Sequence, residues 1–266
     1  FYHWLSPEAG EFIDCMFDNE LMDVLSRKGK ESGGYCTSLP VYKCPFIFAN
    51  FNGTQHDVEV MTHEAGHAFA AYEARNIFPS SYHWPTLESC EIHSMSMEFF
   101  GWAWAEKFFG PQAEKFRYSH LAGALTFLPY GTMVDHFQHI VYAHPELTPA
   151  QRNAEWARLT KIYLPWISLG DLSFYAEGRY WQRQGHIYGR PFYYIDYCLA
   201  QSVALQFWAL MQQDREAAWK RYYALVKLAG TKTYTELVAS AGLMNPFGEE
   251  SLQSKWLDAQ DLSAIR

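Results

Sequence analysis

The sequence predicts a mainly helical domain with a small β element ahead of one motif-bearing helix. Three observations carry this. Gly, Pro and capping residues punctuate the chain at roughly helix-length intervals, and the segments between them space their apolar residues helically. Only between Tyr35 and Phe51 does β-prone composition dominate, with Tyr42, Phe46, Ile47, Phe48 and Phe51 beside two prolines. An apolar content of 49% and an aromatic content of 18% exclude disorder, and 266 residues can bury a substantial core. The expectation is a single domain over 1–266, without internal repeats.

Taken in order, Ser6 is an N-cap with Pro7 at the first helical position, opening a helix to about Arg27. Gly29, Gly33 and Gly34 break it into a loop that could close over a ligand or form a plain turn. One or two short strands follow within 35–51, read as a small sheet edge. Asn52-Gly53 turns the chain, and Thr54 or Asp57 starts the next helix. Further helices are expected at 86–109, 111–128, 130–143, 148–163, 172–184, 192–213, 214–228, 233–241 and 249–263. Their separators include Gly110-Pro111, His144-Pro145, Gly170-Asp171, Gly189-Arg190-Pro191, Gly230, Gly242 and Gly248.

The helix after Thr54 carries His63-Glu64-Ala65-Gly66-His67. Residues i and i+4 stand above one another on a helix, so both imidazoles can grip one metal ion from the same side. Glu64 projects at a neighbouring angle and can reach a metal-bound water without ligating the metal. Val58, Val60, Met61, Phe69 and Tyr72 flank the motif, so the helix is largely buried. Two histidines and a glutamate need a metal or dense hydrogen bonding in such a place. A zinc hydrolase needs a third ligand and an open fourth position. Residues 87–98 offer Glu88, Glu91, His93 and Glu98 on what should be a second helix, and spacing alone does not choose among the three glutamates.

The HEAGH motif, followed some two dozen residues later by Glu91-Ile-His-Ser-Met-Ser-Met-Glu98, resembles the thimet oligopeptidase/oligoendopeptidase F family of zinc metallopeptidases. The run from Arg27 to Tyr35 and the segment Pro45–Thr54 resemble the oligoendopeptidase F branch in particular, and His186-Ile187-Tyr188 and Phe192–Tyr197 resemble the family's histidine-and-tyrosine segment, in the right order along nearly the whole chain. The resemblance implies a zincin-type catalytic domain holding one zinc ion per chain through His63, His67 and Glu91, with Glu98 supporting a ligand. Because family members are usually about twice as long, it also implies that this chain corresponds to the catalytic C-terminal half. The remaining half would belong to the same or another chain.

The chemistry expected is hydrolysis of short peptides by a zinc-bound water that Glu64 activates. Neutral O–H and N–H donors suit the developing oxyanion, which is the physical case for His186, Tyr194 and Tyr197. Tyr193 is the i+4 neighbour of Tyr197, and spacing leaves open which tyrosine does what. Tyr193 and Tyr188, with Phe48 and Ala49 of the β segment, are candidate substrate contacts, since an exposed strand edge can pair with an extended peptide through its backbone. Asp135, His136 and His139 read as a polar helix face.

A net charge of −8 without a basic stripe argues against nucleic acid. No apolar run reaches the roughly 20 residues needed to span a bilayer. Cys15, Cys36, Cys44, Cys90 and Cys198 fit no metal-binding spacing and read as reduced thiols, hence a cytoplasmic protein. The expected function is a zinc endopeptidase; the alternatives are a zinc-binding fragment inactive without its other half, and a non-enzymatic helical scaffold.

Overall fold

The computed structural model describes residues 1–248, so the helix expected at 249–263 lies outside the described residues. Helix α1 (Tyr2–Leu5) leads into α2 (Pro7–Asp18), where Ser6 accepts a hydrogen bond from the Ala9 N–H, as its capping position requires. The expected continuation to Arg27 does not occur. The helix closes through Asn19, Glu20 turns with φ of 53°, and Met22–Leu25 forms strand β1. The reason is nonlocal: β1 pairs in parallel with β3 (Cys44–Phe51), Met22 beside Ile47 and Asp23 beside Phe48. On the other flank β2 (Tyr35–Leu39) pairs antiparallel with β3, Cys36 beside Ile47.

The strand order β1-β3-β2 therefore corrects the reading of 45–50 as a free edge. β3 is the central strand, Ile47 and Ala49 are fully buried, and the exposed edges belong to β1 and β2. Gly33, at φ of 94°, occupies the left-handed region that glycine adopts without penalty. Asn50 donates to the Glu31 and Gly33 carbonyls at 2.8 Å each, tying this loop to β3.

The Asp57 carboxylate accepts from the N–H groups of Asn52, Gly53 and Thr54, which turns the chain into α3 (Gln55–Ala74). Helix α4 (Leu87–Phe100) follows; where one helix to 109 is expected, a 3-10 turn at Gly101–Trp104 separates it from α5 (Ala105–Phe109). Helix α6 (Ala113–Ala143) runs unbroken through Pro129, where the sequence predicts two helices. Proline removes one backbone hydrogen bond, and here the apolar residues buried on both sides of it, from Leu121 to Phe137, outweigh that loss. Helix α7 (Pro149–Tyr163) occupies the expected 148–163 segment, capped by Thr148, which accepts from the Gln151 N–H.

Instead of one helix over 172–184 there are α8 (Ser173–Ala176) and a 3-10 turn at Tyr180–Arg183, parted by Gly178 at φ of 73°. A short α9 (Gly185–Gly189) precedes α10 (Tyr194–Gln213), α11 (Arg215–Val226) and α12 (Tyr234–Ser240). No described helix is long and apolar enough to cross a membrane.

The chain divides into two compact units: Phe1–Ser119 with the described residues from Ala200, and His120–Leu199. In the first, α3 and α4 pack so closely that a Cβ on Gly66 would stand 2.5 Å from the His93 carbonyl oxygen and 2.7 Å from Ser94 Cα. The second has its own core of Met133, Phe137, Trp156, Leu159 and Trp181.

Gly66→Ala should therefore push two backbones apart and cost about 1–3 kcal/mol. Gly123→Ala, whose Cβ meets nothing within 4 Å, should be neutral or stabilise by up to about 1 kcal/mol. Urea unfolding of the pair checks the contrast; equal midpoints would show that the two helices have room to spare.

Candidate metal centre

Helices α3 and α4 supply the first unit's cluster of ionisable groups. One turn apart on α3, the His63 and His67 rings lie 5.0 Å from centroid to centroid. Their Nε2 atoms stand 3.3 and 3.4 Å from Oε2 of Glu91, which α4 brings across. Among the described residues this is the one group of three or more His, Cys, Asp or Glu whose donor atoms all fall within 4.8 Å of each other. Glu88 does not join it.

The supporting contacts follow from helix geometry. Oε1 of Glu98 lies 2.7 Å from Nδ1 of His63. A carboxylate accepts, so Nδ1 carries a proton, and Nε2 is the nitrogen that faces Glu91. The Ser94 hydroxyl donates to Glu91 Oε2 at 2.9 Å, one turn along α4. Sequence reading missed Ser94, although its i+3 spacing from Glu91 was available as a signal. It also passed over Gly66, the residue that lets the ligand-bearing helices meet. Nδ1 of His67 is buried with no hydrogen-bond partner.

Burial opposes charge on His63 and Glu91, yet attraction to their neighbours prevails. The neighbouring Glu91 and Glu98 carboxylates raise His63 well above the usual imidazole range, and His67 and His63 hold Glu91 well below the usual carboxylate range. Such a site holds its buried negative charge against protons or a cation. Glu64 differs: burial pushes its carboxyl up, and Oε2 is buried without a partner. Gly34 lies over it, for a methyl there would stand 3.6 Å from Glu64 Oε1.

These donors fit zinc. Ligand atoms on a tetrahedral ion with bonds of about 2.0–2.1 Å stand roughly 3.3–3.4 Å apart. The two imidazole-to-carboxylate separations match that spacing, and two nitrogens with one carboxylate oxygen form a donor set that leaves a fourth position open.

The second unit assembles the other predicted group. The His186 ring lies 5.1 Å from Tyr194, 5.7 Å from Tyr197 and 6.1 Å from Tyr193, and Nε2 of His186 is 3.4 Å from the Tyr197 hydroxyl. Tyr188 stays apart from them, largely exposed and stacked on Trp181. Phe48 stacks on Tyr35 with the Lys30 ammonium 4.4 Å from its ring centroid. Ala49 is fully buried on the central strand β3. Asp135 and His139 pair at 3.3 Å on α6 and His136 bonds Tyr163, a polar face without a third ligand.

Glu98→Ala should weaken zinc binding about 10–100-fold by releasing the His63 ring, whereas Glu91→Ala should abolish stoichiometric zinc at micromolar chelator. Competition with a chromophoric chelator measures both. Full zinc retention in Glu91→Ala would move the third ligand elsewhere.

Comparison with known proteins agrees with this geometry. Residues 11–256 match the model of peptidase family M3. A protein assigned as oligoendopeptidase F shares 53% identity and superposes with a TM-score of 0.92 over 99% of this chain and 46% of its own. PZ peptidase A, solved with an inhibitor, gives 49% and 0.93 over 99% of this chain and 46% of its own. A Bacillus anthracis str. Ames protein assigned as oligoendopeptidase F gives 46% and 0.88 over all of this chain and 44% of its own. A search of curated proteins finds no match. The chain thus spans less than half the length of these solved relatives, and on the extent of the match it belongs to peptidase family M3.

Proposed function

We propose that this chain is the catalytic half of a zinc-dependent endopeptidase that cleaves short peptides, its two units acting as one catalytic domain. One observation carries the reading: His63, His67 and Glu91 converge with metal-ligand spacing beside a buried, unpartnered Glu64. Family M3 metallopeptidases depend on zinc, and the donor set here suits that ion. When bound, zinc would supply a Lewis acid that polarises the scissile carbonyl and acidifies a water.

The rest falls to the chain's own residues. Glu64 accepts the proton of the attacking water and returns it to the leaving amine; a carboxyl raised by burial is suited to both steps. Glu98 holds the His63 tautomer and Ser94 holds the Glu91 carboxylate. Tyr197, His186 and Tyr194 supply neutral donors to the oxyanion, and their clustering around one imidazole supports this assignment. Tyr193 contacts the peptide. The β2 edge, with Tyr35 and Phe48 stacked beside it, takes the backbone-pairing role in place of 45–50. The five free cysteines support a reducing, cytoplasmic setting.

The second reading, a zinc-binding fragment that needs its other half for turnover, is favoured by the 46% coverage of the solved relatives. Assaying the zinc-loaded chain on a quenched peptide, alone and within the longer polypeptide, separates the two.

Glu64→Gln should keep stoichiometric zinc while kcat falls by at least about 10²–10⁴, because an amide cannot take the proton. Near-normal turnover would remove Glu64 from the base role.

Tyr197→Phe should lower kcat and kcat/KM together by roughly 10²–10³ with KM held, the signature of a transition-state donor. Kinetics and melting temperature on the same variant decide. An unchanged rate returns Tyr197 to packing.

A further inference from the structure

We propose that Gln184 is a positioning residue that sets the tautomer of His186 and, through it, the direction in which Tyr197 donates its hydroxyl proton. The inference rests on the reading of His186 and Tyr197 as oxyanion donors and adds what orients them.

The contacts form a chain within the second unit. The Tyr130 hydroxyl donates to Gln184 Oε1 at 2.8 Å, and Gln184 Nε2 lies 2.8 Å from Nδ1 of His186. An amide nitrogen only donates, so Nδ1 must accept and the neutral ring carries its proton on Nε2. That nitrogen faces the Tyr197 oxygen at 3.4 Å. Every link then donates in one direction, from Tyr130 through Gln184 and His186 to Tyr197, and the Tyr197 proton turns away from the imidazole. The opposite tautomer would make Nε2 an acceptor, and Tyr197 would spend its proton on the ring.

The Tyr130 hydroxyl fixes the amide: it donates to the carbonyl end of Gln184, which leaves the NH2 end toward His186. Gln184 itself caps the start of α9, two residues before His186, so the amide and ring are held in register by one turn of chain.

The test uses zinc-loaded protein labelled with ¹⁵N-histidine, with His186→Gln identifying the His186 signals. The expected wild-type spectrum shows a protonated Nε2 and an unprotonated Nδ1. In Gln184→Glu a carboxylate can only accept from the ring, so Nδ1 should become protonated and kcat should fall at least tenfold with KM held. A wild-type His186 protonated at Nδ1 overturns the proposal without recourse to any variant. So does a Gln184→Glu spectrum that keeps Nδ1 bare. A tautomer that switches while kcat stays unchanged confirms the control by Gln184 and instead refutes the donor role assigned to His186 and Tyr197.

Discussion

The backbones of α3 and α4 touch at Gly66, and the candidate metal centre depends on that contact. Two imidazole nitrogens on one helix can come within 3.3 and 3.4 Å of a carboxylate oxygen on the other only if the helices approach closely. Gly66 on α3 meets the α4 backbone at His93 and Ser94, all three buried, and this provides the thin seam. The ionisable groups sit along it, so the motif's small residues are as much part of the site as its histidines.

Such a seam is costly to fold around. Four charged or chargeable side chains, His63, Glu64, His67 and Glu91, lie buried or half-buried with few neutral hydrogen-bond partners, and an uncompensated charge in that setting is strongly destabilising. These groups balance charge among themselves, imidazolium against carboxylate. A divalent cation would provide the same compensation in one atom, which couples metal loading to stability. Glu64 differs from its neighbours, with a carboxyl raised by burial and an unpartnered oxygen.

The second unit uses a different device. Around His186, Gln184 and Tyr197 lie within hydrogen-bonding distance and three tyrosine rings stand 5.1–6.1 Å away. In that environment direction matters more than charge, because each phenol and amide can be arranged to give or to take a proton.

Much of this was legible in the sequence. Helical class, the cap at Ser6, the α3 motif and the pairing of His63 with His67 follow from periodicity, capping chemistry and i,i+4 geometry, which are local. What the tertiary structure decided is nonlocal. Met22–Leu25 became a strand because β3 offered it a parallel partner, and 45–50 became a central strand for the same reason. Pro129 failed to end α6 because apolar burial on both sides outweighed one missing hydrogen bond. From spacing alone Glu88, Glu91 and Glu98 were equivalent candidates, and family resemblance was needed to choose between them. Packing separated them physically, placing Glu91 against the imidazoles, Glu98 behind His63 and Glu88 outside, since only the contact between two helices fixes which face of one looks at the other.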